Sequence, residues 1–471
     1  MSPNATDVLS LTTELRTALK ATILTPESDG YAQSILRWSD AIINQPAIIV
    51  FAESASDVST TILACLKYNV PFAVSGGRHT TSDGSSSYGG VVIDLRRMKK
   101  VTVDTETKIV TVEGGCRWKD VDDALDGHAL ALVEGIVNDT GVGGITLGGG
   151  YGWLAPRHGL IIDSLIAVKM VLADGRTVVA SEQEDADLFW AVRGAGQCFG
   201  VAVEFDFLAH EHQDPVTAGL LGFPISQINA VFDFANNLVE TTDGNSAMVI
   251  QLSVYPFSQP QVGIMAIIFH NGPSMAAKEV FRPLFDLNPL LNTVTQQSYA
   301  SANGMLVPAA IRGGRNVSKG AAYTTPLRPA FVNDVVIPEL RRLHAGIPGS
   351  ERSILEFEFY KPDKWCEVSV TATAHGHRGR AQNVMIGLYW NNVDDDVRVR
   401  KWSVDIAKMF LVERLEYGSP SSTASPITEY GNYDHLSAHP RDIYGVNFER
   451  LVELKRRYDP GNVFDKWFSL M

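Results

Sequence analysis

The fold of this chain is decided by the stretch Pro71-Phe-Ala-Val-Ser-Gly-Gly-Arg-His-Thr-Thr-Ser-Asp-Gly84, which precedes the strand-like run Val91-Val-Ile-Asp-Leu95. It places a turn of small residues around one histidine, His79. Glycines allow backbone amides to approach an anionic group closely, and an imidazole supplies a nucleophilic nitrogen. The stretch therefore favours a diphosphate-bearing cofactor that is held in this loop. The alternative is a surface turn with an incidental histidine.

Composition limits the class of protein. The chain has 471 residues, of which 45% are hydrophobic and 20% charged, typical of a globular protein with two or three domains. Its net charge of −13 gives no electrostatic basis for binding nucleic acid or an anionic membrane. Its four cysteines lie far apart, which predicts neither a zinc motif nor a disulfide framework. The first residues do not resemble a secretory signal, so we expect a cytoplasmic protein, or a secreted one if the natural chain begins earlier.

Hydrophobic periodicity predicts an α+β protein with two domains. The Asp174-Gly175 pair between two β-rich runs predicts a hairpin. Helices are expected at about 7–25, 57–69, 185–192, 397–411 and 447–457. Strands are expected at about 47–51, 70–74, 91–95, 101–104, 108–112, 166–172, 176–180, 201–207, 246–255, 262–270, 353–360 and 383–390. Residues 419–425 are expected to form a loop.

The run Ser353-Ile-Leu-Glu-Phe-Glu-Phe-Tyr360 shows strict alternation. Leu355, Phe357 and Phe359 would pack on helices, while the other face would meet water or a cavity. On that outward face, Glu356, Glu358 and Tyr360 are candidates for substrate contact, as is Tyr389 on a later strand. Solvated or packing roles are the simpler interpretation of all four.

Other cofactor motifs are missing from the sequence. The second glycine block, Gly141-Val-Gly-Gly-Ile-Thr-Leu-Gly-Gly-Gly-Tyr-Gly152, lacks the spacing of a nicotinamide-dinucleotide fingerprint. No triphosphate-binding loop and no nucleophile elbow occurs. His375-Gly-His377 is a close pair without a third ligand in view, so we expect no metal site.

Four ordered segments together resemble the vanillyl-alcohol oxidase and p-cresol methylhydroxylase (PCMH) family of flavin oxidases, in its berberine bridge enzyme-like branch. The first is Ser75–Thr80 with Gly90–Leu95, and the second is the glycine block 141–152. The third is Asp187-Leu-Phe-Trp-Ala-Val-Arg-Gly-Ala-Gly-Gln-Cys-Phe-Gly-Val201. The fourth is Tyr444–Phe464, near the C-terminus. The resemblance covers about residues 45–210 and 430–471, and little of the middle third.

The resemblance implies a PCMH-type FAD-binding domain over residues 1–211, with a core at about 43–211 and two α/β subdomains. A substrate domain with a large antiparallel sheet covered by helices would span 212–425, and a C-terminal segment, 426–471, would return to the first domain. FAD would be bonded to His79. The other expected cofactor-binding residues are Ser75, Gly76, Gly77, Arg78, Thr80, Thr81, Val137, Thr140, Gly141, Val142, Gly144, Thr146, Gly149, Gly150, Gly152, Val201, Val203, Tyr430 and Asn432.

Three positions qualify what the resemblance implies. Many members of the branch carry a second flavin bond from a cysteine, but Val137 occupies that position here, which implies a single covalent link. Val142 matches the position of an oxygen gate, which favours oxidase behaviour. Arg78 stands where the family usually has glycine; we expect its guanidinium to pair with a phosphate, the alternative being that its bulk forces a different loop path.

The stretch Tyr430-Gly-Asn-Tyr433 resembles one in which the second tyrosine acts as the catalytic base. Tyr433 is therefore the expected base, with Asn432 orienting it or holding the flavin; the alternative is a core tyrosine. A tyrosine base requires a lowered pKa, which a nearby cation would provide. Arg78, Lys361 and His435 are the candidate cations.

The resemblance implies an oxidase that takes hydride from an alcohol, sugar, amine or natural product and reduces O2 to H2O2. Its expected partners are a small-molecule substrate and oxygen. Two alternatives remain: a dehydrogenase or oxidative cyclase of the same fold with little oxygen turnover, and a non-enzymatic binder. The substrate, the oligomeric state and the physiological acceptor are not readable from the sequence.

Overall fold

The computed structural model describes residues 3–418, 429–434 and 437–471. The strands are β1 Thr22–Leu24, β2 Ile48–Phe51, β3 Phe72–Ser75, β4 Val91–Asp94, β5 Val101–Asp104, β6 Ile109–Glu113, β7 Leu130–Ala131, β8 Leu165–Val171, β9 Thr177–Ser181, β10 Val201–Leu208, β11 His210–Glu211, β12 Val216–Pro224, β13 Ser246–Val254, β14 Val262–His270, β15 Leu291–Asn292, β16 Thr295–Gln297, β17 Arg315–Tyr323, β18 Ile354–Phe359 and β19 Gln382–Trp390.

The helices are distributed between these strands. They are α1 Ala5–Ala18, α2 Tyr31–Ser34, α3 Ala55–Lys67, α4 Trp118–Leu125, α5 Val142–Leu147, α6 Ala155–His158, α7 Ala186–Ala195, α8 Ile228–Thr241, α9 Ser274–Val280, α10 Arg282–Asp286, α11 Tyr299–Gly304, α12 Pro329–Phe331, α13 Ile337–Gly346, α14 Asp363–Cys366, α15 Asp396–Tyr417, α16 Pro440–Tyr444 and α17 Phe448–Tyr458. The mixed α+β class expected from the sequence is confirmed.

Two small sheets and the antiparallel pair of β7 and β11 form the first part of the molecule. In the first, with order β1-β2-β4-β3, strand β4 runs parallel to both β2 and β3. β2 and β4 are buried along their whole length, which explains their continuous apolar runs. The second sheet, with order β5-β6-β10-β8-β9, is antiparallel. It contains the predicted hairpin between β8 and β9, with Gly175 at a φ of +81°.

The large sheet has the order β15-β12-β14-β13-β18-β19-β17, with β16 paired to β12, and every pair in it is antiparallel. One face packs against α8, α13 and α15 in a core that includes Phe232, Leu340, Phe357 and Phe410. Alternate residues of each strand face the other way, towards the first part of the molecule. This second face positions the site described below.

The C-terminal segment returns to the first part of the molecule. Helix α17 packs against α7, and the buried ammonium of Lys455 donates to the carbonyl of Cys198 at 2.7 Å and to that of Phe464 at 2.9 Å. The Lys455 ammonium also bonds to Asp459 at 2.6 Å, so its charge is paired. The segment is thereby tied to the first part of the molecule.

Two expectations about elements were wrong or incomplete. The first helix ends at Ala18, not near 25, because Thr22–Leu24 pairs with β2 as an edge strand. Strands β12 and β17 were missed because Gly219, Gly222 and Gly320 interrupt their β pattern. The predicted loop 419–425 lies outside the described residues, and the domain boundaries at 211 and 425 remain predictions. Among the described helices, none is both long and apolar enough to cross a bilayer.

Candidate functional site

A single cavity of about 630 Å3 brings most of the expected site residues together. We call its lining from residues 76–81 and 135–144 the cofactor-side wall. Its lining from β18, β19 and residues 430–433 is the sheet-side wall. The expected site residues that line the cavity are Gly76, Gly77, Arg78, His79, Thr80, Thr81, Val137, Thr140, Gly141, Gly144, Val201, Glu356, Glu358, Tyr389, Tyr430, Asn432 and Tyr433.

The structure does not bring the remaining expected residues to the cavity surface. These are Ser75, Val142, Thr146, Gly149, Gly150, Gly152, Val203 and Tyr360. Val142 is fully buried in the core, and its role as an oxygen gate stays a prediction. A Cβ on Gly152 would lie 1.6 Å from the carbonyl oxygen of Glu134, and one on Gly150 would meet Ile161. Packing therefore explains these two glycines without a ligand.

The cofactor-side wall depends on one close approach between two loops. A Cβ on Gly77 would lie 2.4 Å from the Cα and backbone nitrogen of Gly141, and one on Gly141 would lie 2.6 Å from the nitrogen of Gly77. Gly144 differs, because a Cβ there would meet no atom within 4 Å. Glycine is required at 77 and 141 by contact between the loops, while Gly144 leaves room for a ligand.

His79 is held in a stack of three side chains. Its ring lies 3.9 Å from that of Trp38, with an interplanar angle of 28°. The Arg312 guanidinium lies 5.3 Å from the centre of the Trp38 ring on which it packs. Arg312 also donates to the carbonyls of Gly77 and Arg78, each at 3.1 Å, and pairs with Asp139 at 2.7 Å. The stack and these bonds fix both the imidazole plane and the loop that carries it.

Burial and, second to it, the neighbouring positive charge of Arg312 lower the pKa of His79 to about 4. The imidazole is therefore neutral at neutral pH and keeps a lone pair for attack on an electrophile. Its Nε2 atom is buried and has no hydrogen-bond partner among the described residues. A neutral imidazole is what a nucleophilic attachment point requires, and the attachment of FAD to His79 stays a prediction.

Arg78 adopts the left-handed region, with φ +58°. Its guanidinium donates to the carbonyl of Leu36 at 3.1 Å, so the loop accommodates the side chain where a glycine was expected. The expected pairing of the guanidinium with a phosphate stays a prediction.

The cavity lining contains buried polar atoms without partners in the described part of the chain. They include Nε of Arg78, Nε2 of His79, Oγ of Ser85 and Oε1 of Gln197. Buried polar atoms are normally hydrogen-bonded, so these atoms indicate a polar ligand. Together with the size of the cavity, they fit a dinucleotide such as FAD.

The sheet-side wall presents a hydrogen-bonded tyrosine and carboxyl. The hydroxyl of Tyr433 donates to Oε1 of Glu358 at 2.5 Å. Oε2 of Glu358 accepts from the amide of Asn383 at 2.7 Å. Both side chains line the cavity, and Glu358 lies on β18, the strand whose alternation was noted in the sequence. The arrangement can pass a proton from a group in the cavity to Glu358.

The expectation that a cation lowers the pKa of Tyr433 was wrong. Burial raises that pKa well above 10, and the adjacent Glu358 raises it further. Of the three candidate cations, Arg78 bonds to Leu36, Lys361 donates to the carbonyl of Thr242 at 2.5 Å, and His435 lies outside the described residues. Burial also raises the pKa of Glu358 to about 8. Glu358 therefore ionises at lower pH than Tyr433 and is the final proton acceptor of the pair.

Asn432 and Tyr430 support this pair from the C-terminal segment. The amide of Asn432 donates to the Tyr430 hydroxyl at 2.8 Å and to the carbonyl of Ile145 at 3.0 Å. The Tyr430 hydroxyl accepts from the amide of Gly150 at 3.1 Å, and its ring packs edge-on to that of Tyr433. Asn432 and Tyr430 thus join the glycine block to the sheet-side wall.

The other outward-facing candidates have different environments. Glu356 lines the cavity but accepts a bond from the amide of Gln251 at 2.6 Å, and burial raises its pKa. Tyr389 lines the cavity and carries the guanidinium of Arg352 4.8 Å from its ring centre. Tyr360 is buried edge-on to Trp153, away from the cavity.

Sequence reasoning missed Trp38, Arg312, Arg352 and Asn383. Each is a single residue outside any recognisable motif, and Trp38 reaches His79 only through the fold. Arg352 alone had a signal, because it continues the alternation of Glu356 and Glu358 by four residues towards the N-terminus.

Comparisons with known proteins agree with this geometry. A family model described as an FAD binding domain matches residues 46–181, and one described as berberine and berberine like matches residues 429–467. The FAD-linked oxidoreductase pgmH of Aspergillus terreus is 31% identical over 473 residues, covering 97% of this chain and 95% of the relative.

Two solved structures share the fold. That of 6-hydroxy-D-nicotine oxidase from Arthrobacter nicotinovorans has a TM-score of 0.80 at 21% identity and covers 96% of this chain and 98% of its own. Glucooligosaccharide oxidase from Acremonium strictum, described with a 6-S-cysteinyl, 8α-N1-histidyl FAD, has a TM-score of 0.81 at 20% identity. The match covers 98% of this chain and 99% of that one.

Proposed function

Because the chain belongs to the FAD-linked oxidoreductases of the berberine bridge enzyme-like family, we propose that it is an oxidase acting on a small-molecule CH–OH, C–H or C–N donor. FAD, when bound, supplies the chemistry by accepting hydride from the donor and passing the electrons to O2, which yields H2O2. The remaining steps depend on side chains of this chain.

His79 would hold FAD through the single covalent bond. Its neutral imidazole and unpartnered Nε2 support this role, and Trp38 and Arg312 fix its plane. Val137 lines the cavity where a second bond would require cysteine, and an alkyl side chain cannot form a thioether. Gly144 would leave room for the cofactor, because a Cβ there meets no atom within 4 Å. Oγ of Ser85 and Oε1 of Gln197 would bond to the cofactor, since both are buried without a partner among the described residues.

Tyr433 and Glu358 would remove the donor's proton. The Tyr433 oxygen accepts the proton of a substrate hydroxyl or amine while its own proton moves to Oε1 of Glu358 along the 2.5 Å hydrogen bond. Asn383 keeps the carboxylate oriented from its other oxygen. The pair is active when Glu358 is ionised.

One observation carries the proposal: the same cavity is lined by a neutral, buried histidine and by a buried tyrosine–carboxyl pair. A protein that only binds a ligand has no need of such a pair, so an enzyme is favoured over a binder.

The test begins with the colour of the purified protein. We expect a yellow protein whose flavin stays with the polypeptide after acid precipitation. A panel of alcohols, oligosaccharides, amines and aromatic natural products is then assayed for flavin bleaching without oxygen and for H2O2 in air. Bleaching with stoichiometric H2O2 supports the oxidase, whereas bleaching with dye reduction but little H2O2 would identify a dehydrogenase or cyclase. A colourless protein would refute the proposal.

A further inference from the structure

Alternate side chains of β18, and of the residues just before it, line the cavity one after another. Arg352, Ile354, Glu356 and Glu358 all line it, while Leu355 and Phe357 between them pack into the helical core. Strand β18 begins at Ile354, and Arg352 ends the 3-10 turn Ser350–Arg352 just before it. At about 3.3 Å per residue, the strand advances about 13 Å from Ile354 to Glu358. Glu358 thus lies at the end of this row beside Tyr433, and Arg352 lies at the exposed end.

The outer end of this row carries an available positive charge. Arg352 is exposed and stacks over Tyr389, whose backbone amide is fixed by the Ser353 hydroxyl at 3.0 Å. Within the described residues, no hydrogen bond or ion pair engages the Arg352 guanidinium, in contrast to Arg78 and Arg312. Its planar set of N–H donors suits a carboxylate or a similar anion.

The middle of the cavity has few free polar groups. Its lining there includes Ile354 and Met385 on the sheet, and Leu306, Ala310 and Ile311 on the connection before β17. A sugar ring would need free hydrogen-bonding groups along this length, because each unpaired hydroxyl costs free energy on burial.

The polar side chains of this middle region are already engaged. Gln251 donates to Glu356 at 2.6 Å, Ser253 donates to the carbonyl of Ser353 at 2.9 Å, and the Ser318 hydroxyl bonds to that of Thr81 at 2.8 Å. The hydroxyl of Tyr255 donates to the amide oxygen of Gln251 at 3.4 Å. The middle therefore fits an apolar scaffold.

We propose that the substrate is an elongated, largely apolar alcohol with an anionic group at the end away from the oxidised carbon, and that Arg352 binds that group. This rests on the proposed function, since Tyr433 and Glu358 define the reacting end. Allowing for the reach of the side chains, carbinol and anion are separated by roughly 10 Å, about the length of two linked aromatic rings.

The net negative charge of the chain means that an anionic substrate needs a local positive charge such as that of Arg352. The chain carries a net charge of −13, which repels an anion from most of its surface. Burial raises the pKa of Glu358 to about 8, so near neutral pH its carboxyl opposes the anion less.

The test uses two probes of matched shape: a para,para′-substituted hydroxymethylbiphenyl carboxylate and its carboxamide. KM and kcat are measured for the holoenzyme and for Arg352→Gln, and binding is followed separately by the shift of the flavin spectrum. We expect the native enzyme to prefer the carboxylate, and Arg352→Gln to raise the carboxylate-to-carboxamide KM ratio about tenfold, the size of one charge-assisted contact. Arg352→Lys should restore part of the preference.

Arg328 provides the matched control, because it also stacks on a tyrosine, Tyr417, but does not line the cavity. Arg328→Gln should leave the KM ratio at the native value. An equal change for both probes in Arg352→Gln, or no change, would overturn the role of Arg352. If neutral oligosaccharides reduce the flavin and both biphenyls fail, the substrate class is wrong while the oxidase stands. If no donor on the panel reduces the flavin, the proposed function itself fails.

Discussion

The two walls of the cavity are built on different principles. On the cofactor-side wall, backbone contacts dominate. The backbones of Gly77 and Gly141 are in close contact, and Arg312 donates hydrogen bonds to the carbonyls of Gly77 and Arg78. On the sheet-side wall, alternate side chains project from β18 and β19, strands whose backbones are already paired within the sheet. Replacing a side chain on the sheet-side wall can therefore change chemistry without disturbing the fold, whereas the cofactor-side wall tolerates little change. The following predictions test this contrast.

The largest expected effect is on cofactor attachment. His79→Ala removes the only proposed nucleophile, so covalently bound flavin should fall from nearly complete to none. Flavin fluorescence of the denatured polypeptide on a gel measures this. His128→Ala, which changes an exposed histidine away from the cavity, should retain the native signal. Persistent covalent flavin in His79→Ala would show that another residue is the anchor.

On the sheet-side wall, Tyr433→Phe and Glu358→Gln should each slow flavin reduction by about 10²-fold or more while covalent flavin is retained, because a general base contributes ~10²–10⁴-fold. Stopped-flow spectroscopy without oxygen gives the rate. Glu356→Gln, two residues along the same strand, is the matched carboxyl control and should have a much smaller effect. Native reduction rates in both variants would place the base elsewhere.

Stability should next separate two positions of the cofactor-side wall, one at the loop contact and one beside open space. Gly77→Ala forces a Cβ against the backbone of Gly141, so the free energy of unfolding should fall by about 3 kcal/mol. Gly144→Ala lies on helix α5 with open space around its Cβ and should change it by less than about 1 kcal/mol. Denaturant titration of both variants measures the difference. Equal stabilities would mean that the loop contact can relax.

The pH profile should report Glu358. Because its pKa is raised to about 8, the reduction rate should rise about tenfold per pH unit below pH 8 and level off above it. Glu358→Gln should have no such rise.

The same ionisation should affect stability, with a definite sign. A carboxyl whose folded pKa exceeds its ordinary value of 4.5 favours the fold below that value, and this stability is lost as pH rises through about 8. The melting temperature should therefore fall less steeply over this range in Glu358→Gln. A native profile in that variant would assign the titration to another group.

The smallest effect concerns the stack on His79. Trp38→Ala should slow covalent attachment about two- to tenfold, equivalent to the ~0.5–1.5 kcal/mol of one aromatic pair. Trp38→Phe keeps an aromatic face and should stay near the native rate. Both are followed by the time course of gel fluorescence after FAD is added to the apoprotein. Equal rates for Ala and Phe would show that stacking does not orient the ring.

The sequence predicted the cofactor-side wall well, because short glycine-rich loops carry their signal in consecutive residues such as Ser75–Thr80. It also identified the outward face of β18 from alternation alone. It could not predict that Glu358 meets Tyr433, since the two are 75 positions apart and are joined only by the sheet and the C-terminal segment. For the same reason it sought a cation beside Tyr433, where the fold places a carboxyl.

The return of the C-terminal segment has a consequence for biosynthesis. Lys455 anchors this segment beneath the first part of the molecule, while Tyr430, Asn432 and Phe464 close the cavity. A chain cut before Tyr430 would lack these three residues. The cavity is therefore completed only after this segment has been made and has folded back onto the first part of the molecule.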